Sequence, residues 1–221
     1  MHYLQQNIIK ILATRESARY SEIKPKTIES NHFLYHLNQL IKDGLVGKRA
    51  DKSYYLANKG KAYIDNLSFS SFKVRSQPKI VNLLVCKNDN DEYLLYKRVH
   101  QPFIGQVGFP YGKIHLGETI GESSKRELLE LTGLSAELSH RGDVYTTVFH
   151  DDVLITHTLF HVHYAENPVG EFHPGSQYGT FFWSKIDDAS SETYFPGFVE
   201  IYKLIQSIKS DKFFEEYIFR L

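Results

Sequence analysis

The sequence predicts an α+β protein of two domains, a helical one followed by a strand-rich one, on three observations. Apolar residues recur with a helical period as far as Ile41, whereas runs of strand length dominate from residue 79 onward. The formal net charge of zero conceals an asymmetry: residues 1–70 hold 11 Lys and Arg against 6 Asp and Glu, and residues 71–221 hold 15 against 20. Between these halves lies NLSFSSFKVRSQP, rich in serine, ending in proline and without a clean period. The expected domains are therefore 1–70 and 79–221, joined by a linker at 71–78. With 221 residues, 42% of them hydrophobic, the chain can bury two cores.

Several function classes are set aside at this stage. No run of eighteen apolar residues occurs, and MHYLQQNIIK has neither the basic nor the apolar region of a signal peptide, so a cytoplasmic protein without membrane contact is expected. The single cysteine, Cys86, lies in the strand-like KIVNLLVCK and is expected to be a small core residue. There is no internal repeat and no low-complexity tract.

In the first domain Leu4, Ile8, Ile11 and Leu12 mark one helix, Tyr20 to Ile23 a shorter one, and Phe33, Leu37, Leu40 and Ile41 a third. The third is expected to start after Ser30 as N-cap and to stop at Gly44. Behind it, LVGKRADKSYYLANKG reads as two short strands around a basic turn. This order, with YHLNQLIKDGLV followed by YYLANKGKAYI, resembles the winged helix-turn-helix domains of bacterial repressors, especially the ArsR-like type. The resemblance implies a third helix that enters the DNA major groove and a wing that lies along phosphates. By position, Asn31, His32, Tyr35, His36 and Gln39 would form the exposed helix face, with Lys42 near its end, and Lys48, Arg49 and Lys52 would offer the wing's charges. In the alternative, the same domain is a dimerisation or protein-binding module, since the recognition face carries little positive charge.

In the second domain KIVNLLVC and EYLLYKRV, joined by KNDND, read as a hairpin. GDVYTTVF and VLITHTLFHVHYA follow around HDD, then TFFWSKI and the amphipathic FPGFVEIYKLIQSIKS. Within GKIHLGETIGESSKRELLELTGL, Thr119 and Glu122 form a capping-box signature and Gly133 is a natural terminator, so a helix is expected from about 120 to 132. Glu127 and Glu130 then fall on one face, and Glu122 and Arg126, four apart, are placed to pair on the outer side.

From Gly112 to Leu134 the stretch resembles the Nudix box, G-x5-E-x7-R-E-U-x-E-E-x-G-U with U aliphatic, at eight of nine fixed positions. The flanking GFPYGK and the strand order resemble that family too. The resemblance implies an α/β/α sandwich with a mixed, mostly antiparallel sheet, and a loop–helix–loop that binds Mg²⁺ or Mn²⁺ to cleave a nucleoside diphosphate linked to X. Hard divalent ions favour carboxylate oxygens, and they both neutralise phosphates and acidify the attacking water. By position, Glu127 and Glu130 would be the catalytic metal ligands, the Gly112 carbonyl a further one, and Glu118 with Arg126 a structural ion pair.

One position departs. The second glutamate of the E-E pair is Leu131, which is expected to join Ile120 and Leu128 in an apolar stripe. Six residues before Trp183, where many family members carry a glutamate, stands Gln177. Glu166, Glu171, Asp151 and Asp152 are alternative sources of a ligand, each better read as a solvated turn residue. His157, His161 and His163 alternate onto one strand face; a strand sets i and i+2 almost 7 Å apart, so they are expected to line a ligand pocket with Tyr111 and not to form a metal triad.

Together the halves resemble bacterial Nudix-related transcription regulators, with the domain order reversed. The leading expectation is a homodimeric DNA-binding regulator that senses a nucleotide-type metabolite, with at most weak hydrolysis. The rival is an active Mg²⁺-dependent Nudix hydrolase whose N-terminal domain is accessory.

Overall fold

The computed structural model describes residues 1–65, 67, 73–74, 76–177, 179–186, 193–207 and 211–221. Residues 71, 72 and 75 of the expected linker and residues 208–210 of the last amphipathic segment lie outside this set. The chain divides into two compact units, Met1–Gln77 and Pro78–Leu221. None of the described helices is long and apolar enough to cross a membrane.

The first unit contains α1 (Tyr3–Ala13), α2 (Tyr20–Ile23), α3 (Ser30–Lys42), a hairpin of β1 (Val46–Lys48) and β2 (Tyr54–Leu56), and α4 (Asn58–Asp65). Its core is built from Ile8, Leu12, Ile23, Phe33, Leu37 and Leu40, the positions set by the helical period. Ser30 is the first residue of α3 and Glu29 occupies the N-cap without a side-chain bond, one position from the expected start. The sequence gives three helices; α4 is a fourth, closed onto β2 and α1.

The second unit runs β3 (Lys79–Lys87), β4 (Tyr93–Arg98), β5 (Val107–Gly108), β6 (Tyr111–Lys113), α5 (Ile120–Thr132), β7 (Leu134–Ser135), β8 (Ser139–His150), β9 (Val153–Glu166), β10 (Val169–Gly170), β11 (Gly175–Ser176), β12 (Gly179–Ser184), α6 (Phe198–Ser207) and β13 (Phe213–Arg220). The main sheet has the order β11-β12-β4-β3-β9-β8-β13. It is mixed: β3 with β9 and β8 with β13 are parallel, and the remaining pairs are antiparallel. Strand β13 was not expected, although FFEEYIFR carries Phe213, Phe214, Tyr217, Ile218 and Phe219; of these only Phe213 is buried.

The expected β3–β4 hairpin pairs only at Lys87 and Tyr93. Beyond that point the strands part, β6 pairing with β3 at Val81 to Leu83 and β5 pairing with β4 at Tyr96 and Lys97. This opening delivers the segment from Tyr111 to Lys113 into the middle of the unit. Two cores flank the sheet. Leu83, Val85, Val144 and Val162 face α6, whereas Leu84, Cys86 and Ala165 face Leu128 of α5. Cys86 is fully buried, and burial pushes its thiol up to about 12.

Candidate functional site

Helix α5 forms where its caps demand. The Thr119 hydroxyl accepts from the Glu122 amide at 3.2 Å, and the Glu122 carboxylate returns to the Thr119 amide and hydroxyl at 2.9 and 2.7 Å. At the other end Gly133, at φ 73°, donates to the Leu129 carbonyl at 2.8 Å. Because the cap consumes Glu122, the expected Glu122–Arg126 pair does not form.

Arg126 turns instead to the loop. Its Nε and Nη2 donate to the two Glu118 carboxylate oxygens at 2.6 and 2.8 Å, a bidentate pair, and Nη2 also reaches the Lys113 carbonyl at 3.0 Å. Nη1 donates to Glu127 Oε1 at 2.9 Å and to Glu130 Oε2 at 3.0 Å. The Arg126 bonds, and a further one from the His115 amide, hold the Glu118 carboxyl down at about 2. Arg126 is raised by the same contact with Glu118 and stays charged.

Glu127 is 9% exposed and lies against β6, where the Lys113 amide donates to its Oε1 at 3.1 Å. A Cβ at residue 112 would sit 2.0 Å from its Oε2, so glycine alone permits this approach. Glu127 and Glu130 thus converge on one guanidinium nitrogen, Glu130 from the exposed side. Leu131 is partly buried and packs with the α5-side core alongside Leu128, whereas Ile120, 39% exposed, is not part of the stripe expected for it. Among the described residues, the box carboxylates do not form a group of three donors within 4.8 Å of one another. The donor set suits a hard divalent ion only in part: Glu127 and Glu130 would hold it, with substrate phosphates and water completing the shell.

The other acidic candidates are engaged or exposed elsewhere. Glu166 accepts from the Tyr164 hydroxyl at 2.7 Å, Asp152 pairs with Arg220 at 2.9 Å, Asp151 lies 3.8 Å from His150, and Glu171 is exposed. Gln177 meets His100 through its backbone oxygen at 2.7 Å.

On the face of the sheet opposite α5 lies a cavity walled by Phe109, Tyr111, Phe160 and Phe195, with Lys79 and Arg98 as its cations. Arg98 is anchored by the Tyr111 hydroxyl and by the carbonyls of His100 and Gln101, at 2.7 and 3.1 Å. Successive residues of β6 therefore serve two surfaces: Tyr111 lines the cavity, and Gly112 meets Glu127. The expected pocket histidines are absent from this lining. Thr156, Thr158 and Phe160 face the cavity, so His157, His161 and His163 project from the α5 side. There His163 meets Asn82 at 3.1 Å, and Asn82 donates to Ser123 of α5 at 2.7 Å; His157 lies 4.6 Å from the Tyr145 ring.

In the first unit, His32, Tyr35, Lys42, Lys48, Arg49 and Lys52 are exposed. His36, expected on the same face, is only 8% exposed: its ring stacks on His2 at 4.0 Å and its Nε2 lies 3.2 Å from that of His32. Burial, then the neighbouring imidazoles, lower its pKa. Gln39 is half-buried and donates to Asp43 at 3.0 Å.

Comparison with known proteins follows the same outline. Among solved structures, the mMutator MutT protein from Bacillus halodurans superposes with a TM-score of 0.53 at 24% identity, covering 64% of this chain and 90% of that one. The NUDIX domain of Shewanella oneidensis NrtR, complexed with ADP ribose, gives 0.51 at 16% identity, covering 66% and 96%. The MutT NUDIX hydrolase from Burkholderia pseudomallei gives 0.51 at 22%, covering 59% and 99%. At these identities the likeness shows the fold. The NUDIX domain profile matches residues 77–205, more than half of the sequence, and the chain belongs to the Nudix family.

Proposed function

We propose that the second unit binds a nucleoside-diphosphate-linked metabolite with at most weak hydrolysis, and that the first unit is a winged-helix reader whose DNA affinity this ligand controls. The observation that carries the reading is Leu131, packed in the α5-side core where a third carboxylate would complete the metal shell. Arg126 already neutralises part of the charge on Glu127 and Glu130. The aromatic cavity beside Gly112, with Lys79 and Arg98, suits a base, a ribose and phosphates. A Nudix domain of the same fold complexed with ADP ribose supports that ligand class. For the first unit, the support is the helix–hairpin order and the exposed Lys42, Lys48, Arg49 and Lys52, with His32 and Tyr35 on the helix. A homodimer follows from the two half-sites that such readers use.

When bound, Mg²⁺ or Mn²⁺ would neutralise phosphate charge and acidify water. The chain's own part is to position Glu127 against Gly112 and to brace the loop through Glu118 and Arg126. The retained Gly112, Glu118, Arg126, Glu127 and Glu130 favour the second reading, an active hydrolase with an accessory first unit.

A panel of ADP-ribose, NADH, nucleoside triphosphates and sugar nucleotides, with Mg²⁺ or Mn²⁺, separates the two. Binding with negligible turnover in wild type, and turnover appearing in Leu131→Glu, supports the sensor; robust wild-type turnover abolished by Glu127→Gln establishes the hydrolase. For the first unit, DNA affinity should fall steeply with salt and weaken on neutralising Lys48 and Arg49. Affinity indifferent to both removes the DNA reading.

A further inference from the structure

On the α5 face of the sheet, in the cross-strand row that runs from Gly112 through Asn82 and His161 to Asp143, His140 Nε2 and His161 Nδ1 both reach the same oxygen of Asp143, at 2.8 and 2.7 Å. The three donor atoms all lie within 4.8 Å of one another. Two features of the fold assemble them. Asp143 and His161 are cross-strand partners on β8 and β9, so their side chains leave the sheet together. The register shift between His140 and Gly142 is a bulge, which brings His140 onto the same face although it stands three residues from Asp143.

We infer that His140, Asp143 and His161 form a binding site for a borderline divalent transition metal of the zinc class. Two imidazole nitrogens and one carboxylate oxygen are the donors that such ions prefer, whereas Mg²⁺ and Ca²⁺ favour all-oxygen shells. Ligands bonded at about 2.0–2.1 Å stand about 3.0 Å apart in an octahedron and about 3.3 Å apart in a tetrahedron. The observed spacings to Asp143, 2.8 and 2.7 Å, therefore need to open by about 0.2–0.3 Å for an octahedron and about 0.5–0.6 Å for a tetrahedron. Coordination uses the lone pairs of His140 Nε2 and His161 Nδ1, so a ring proton on each imidazole has to sit on the other nitrogen, His140 Nδ1 and His161 Nε2.

The surroundings suit an ion. His161 and Asp143 have 12% and 33% side-chain exposure and His140 29%, so the donors are sheltered yet reachable. Burial alone would raise the Asp143 carboxyl, but hydrogen bonds from His161 and His140 outweigh it and keep the group ionised. Beside them His163, 2% exposed and with its ring 5.5 Å from that of His140, has a buried Nδ1 that meets no hydrogen-bond partner among the described residues. Its Nε2 is held by Asn82, which is tied to Ser123, so this corner of the sheet is linked to α5. Three protein donors leave positions for water or a further ligand. The site is independent of either reading of the Nudix box.

The test is Zn²⁺ titration calorimetry on the full chain with Mg²⁺ in excess, in a His2→Ala/His32→Ala background that removes the separate group His2, His32 and His36. One equivalent should bind, and His140→Ala and Asp143→Asn should each weaken it by more than about 100-fold, beyond the 10–100-fold typical of an outer-shell partner. X-ray absorption of the zinc-loaded background protein reads the donor set without further substitution, so the result does not depend on those variants folding. Two imidazole ligands per zinc are expected. Absence of binding in this background, unchanged affinity in both folded variants, or fewer than two imidazoles at the bound zinc overturns the assignment.

Discussion

The Glu127 carboxylate occupies the space that a Cβ on residue 112 would need, its Oε2 lying 2.0 Å from that position. This contact couples the strand that lines the cavity to the helix that carries the acidic residues. Gly112→Ala must push Glu127 off the strand or strain β6. A loss of about 1–3 kcal/mol in urea unfolding is expected, the usual cost of overpacking, together with weaker Mn²⁺ binding. Unchanged stability and Mn²⁺ affinity would refute the coupling.

The Glu118–Arg126 pair sets an acid limit. The Glu118 carboxyl is depressed from an ordinary 4.5 to about 2, so its contribution to stability is complete above 4.5 and is lost as pH falls through the folded value. Unfolding free energy measured from pH 6 to pH 2 should fall over this window in wild type and fall less in Glu118→Gln. Parallel curves for the two proteins would show that the pair does not supply this pH dependence.

Leu131→Glu places a carboxylate one turn after Glu127. Tighter Mn²⁺ binding by about tenfold, roughly 1.4 kcal/mol, is expected. Stability should drop by about 1 kcal/mol, because apolar contact with the Leu128 side of the core is given up. Calorimetry with Mn²⁺ and urea unfolding read the two effects separately.

Arg98 is the anchored cation of the cavity. Under the proposed function, Arg98→Ala should weaken ADP-ribose binding by about 1.5–3 kcal/mol, as for a lost charged hydrogen bond, with little effect on Mn²⁺ affinity. Equal losses of both would show that Arg98 supports the fold and not the ligand.

Legibility in the sequence followed distance along the chain. The α5 caps, the Glu118–Arg126 pair and the helical stripes of α1 and α3 involve residues three to eight apart, where spacing fixes geometry. Glu122 shows the limit even at short range, since the capping box and the Arg126 pair compete for one carboxylate and the cap holds it. His36 has the spacing of an exposed helix residue but is covered by His2, 34 positions earlier in the numbering. Strand β13 contributes Phe213 and Tyr217 to the core, but its parallel pairing to β8 joins segments far apart in the sequence, which local spacing does not show.

The sequence by itself determined the family, the box helix with its capped ends and bracing ion pair, and the one missing carboxylate at Leu131. Only the tertiary structure decided which face of the sheet each strand residue serves and which strands are neighbours. Alternation along β9 is visible in the sequence, but the assignment of Phe160 to the cavity and His161 to Asp143 depends on register and on a bulge in β8. Side chains alternate with a period of two, so a single inserted residue exchanges the faces, and backbone pairing between distant segments is what places it.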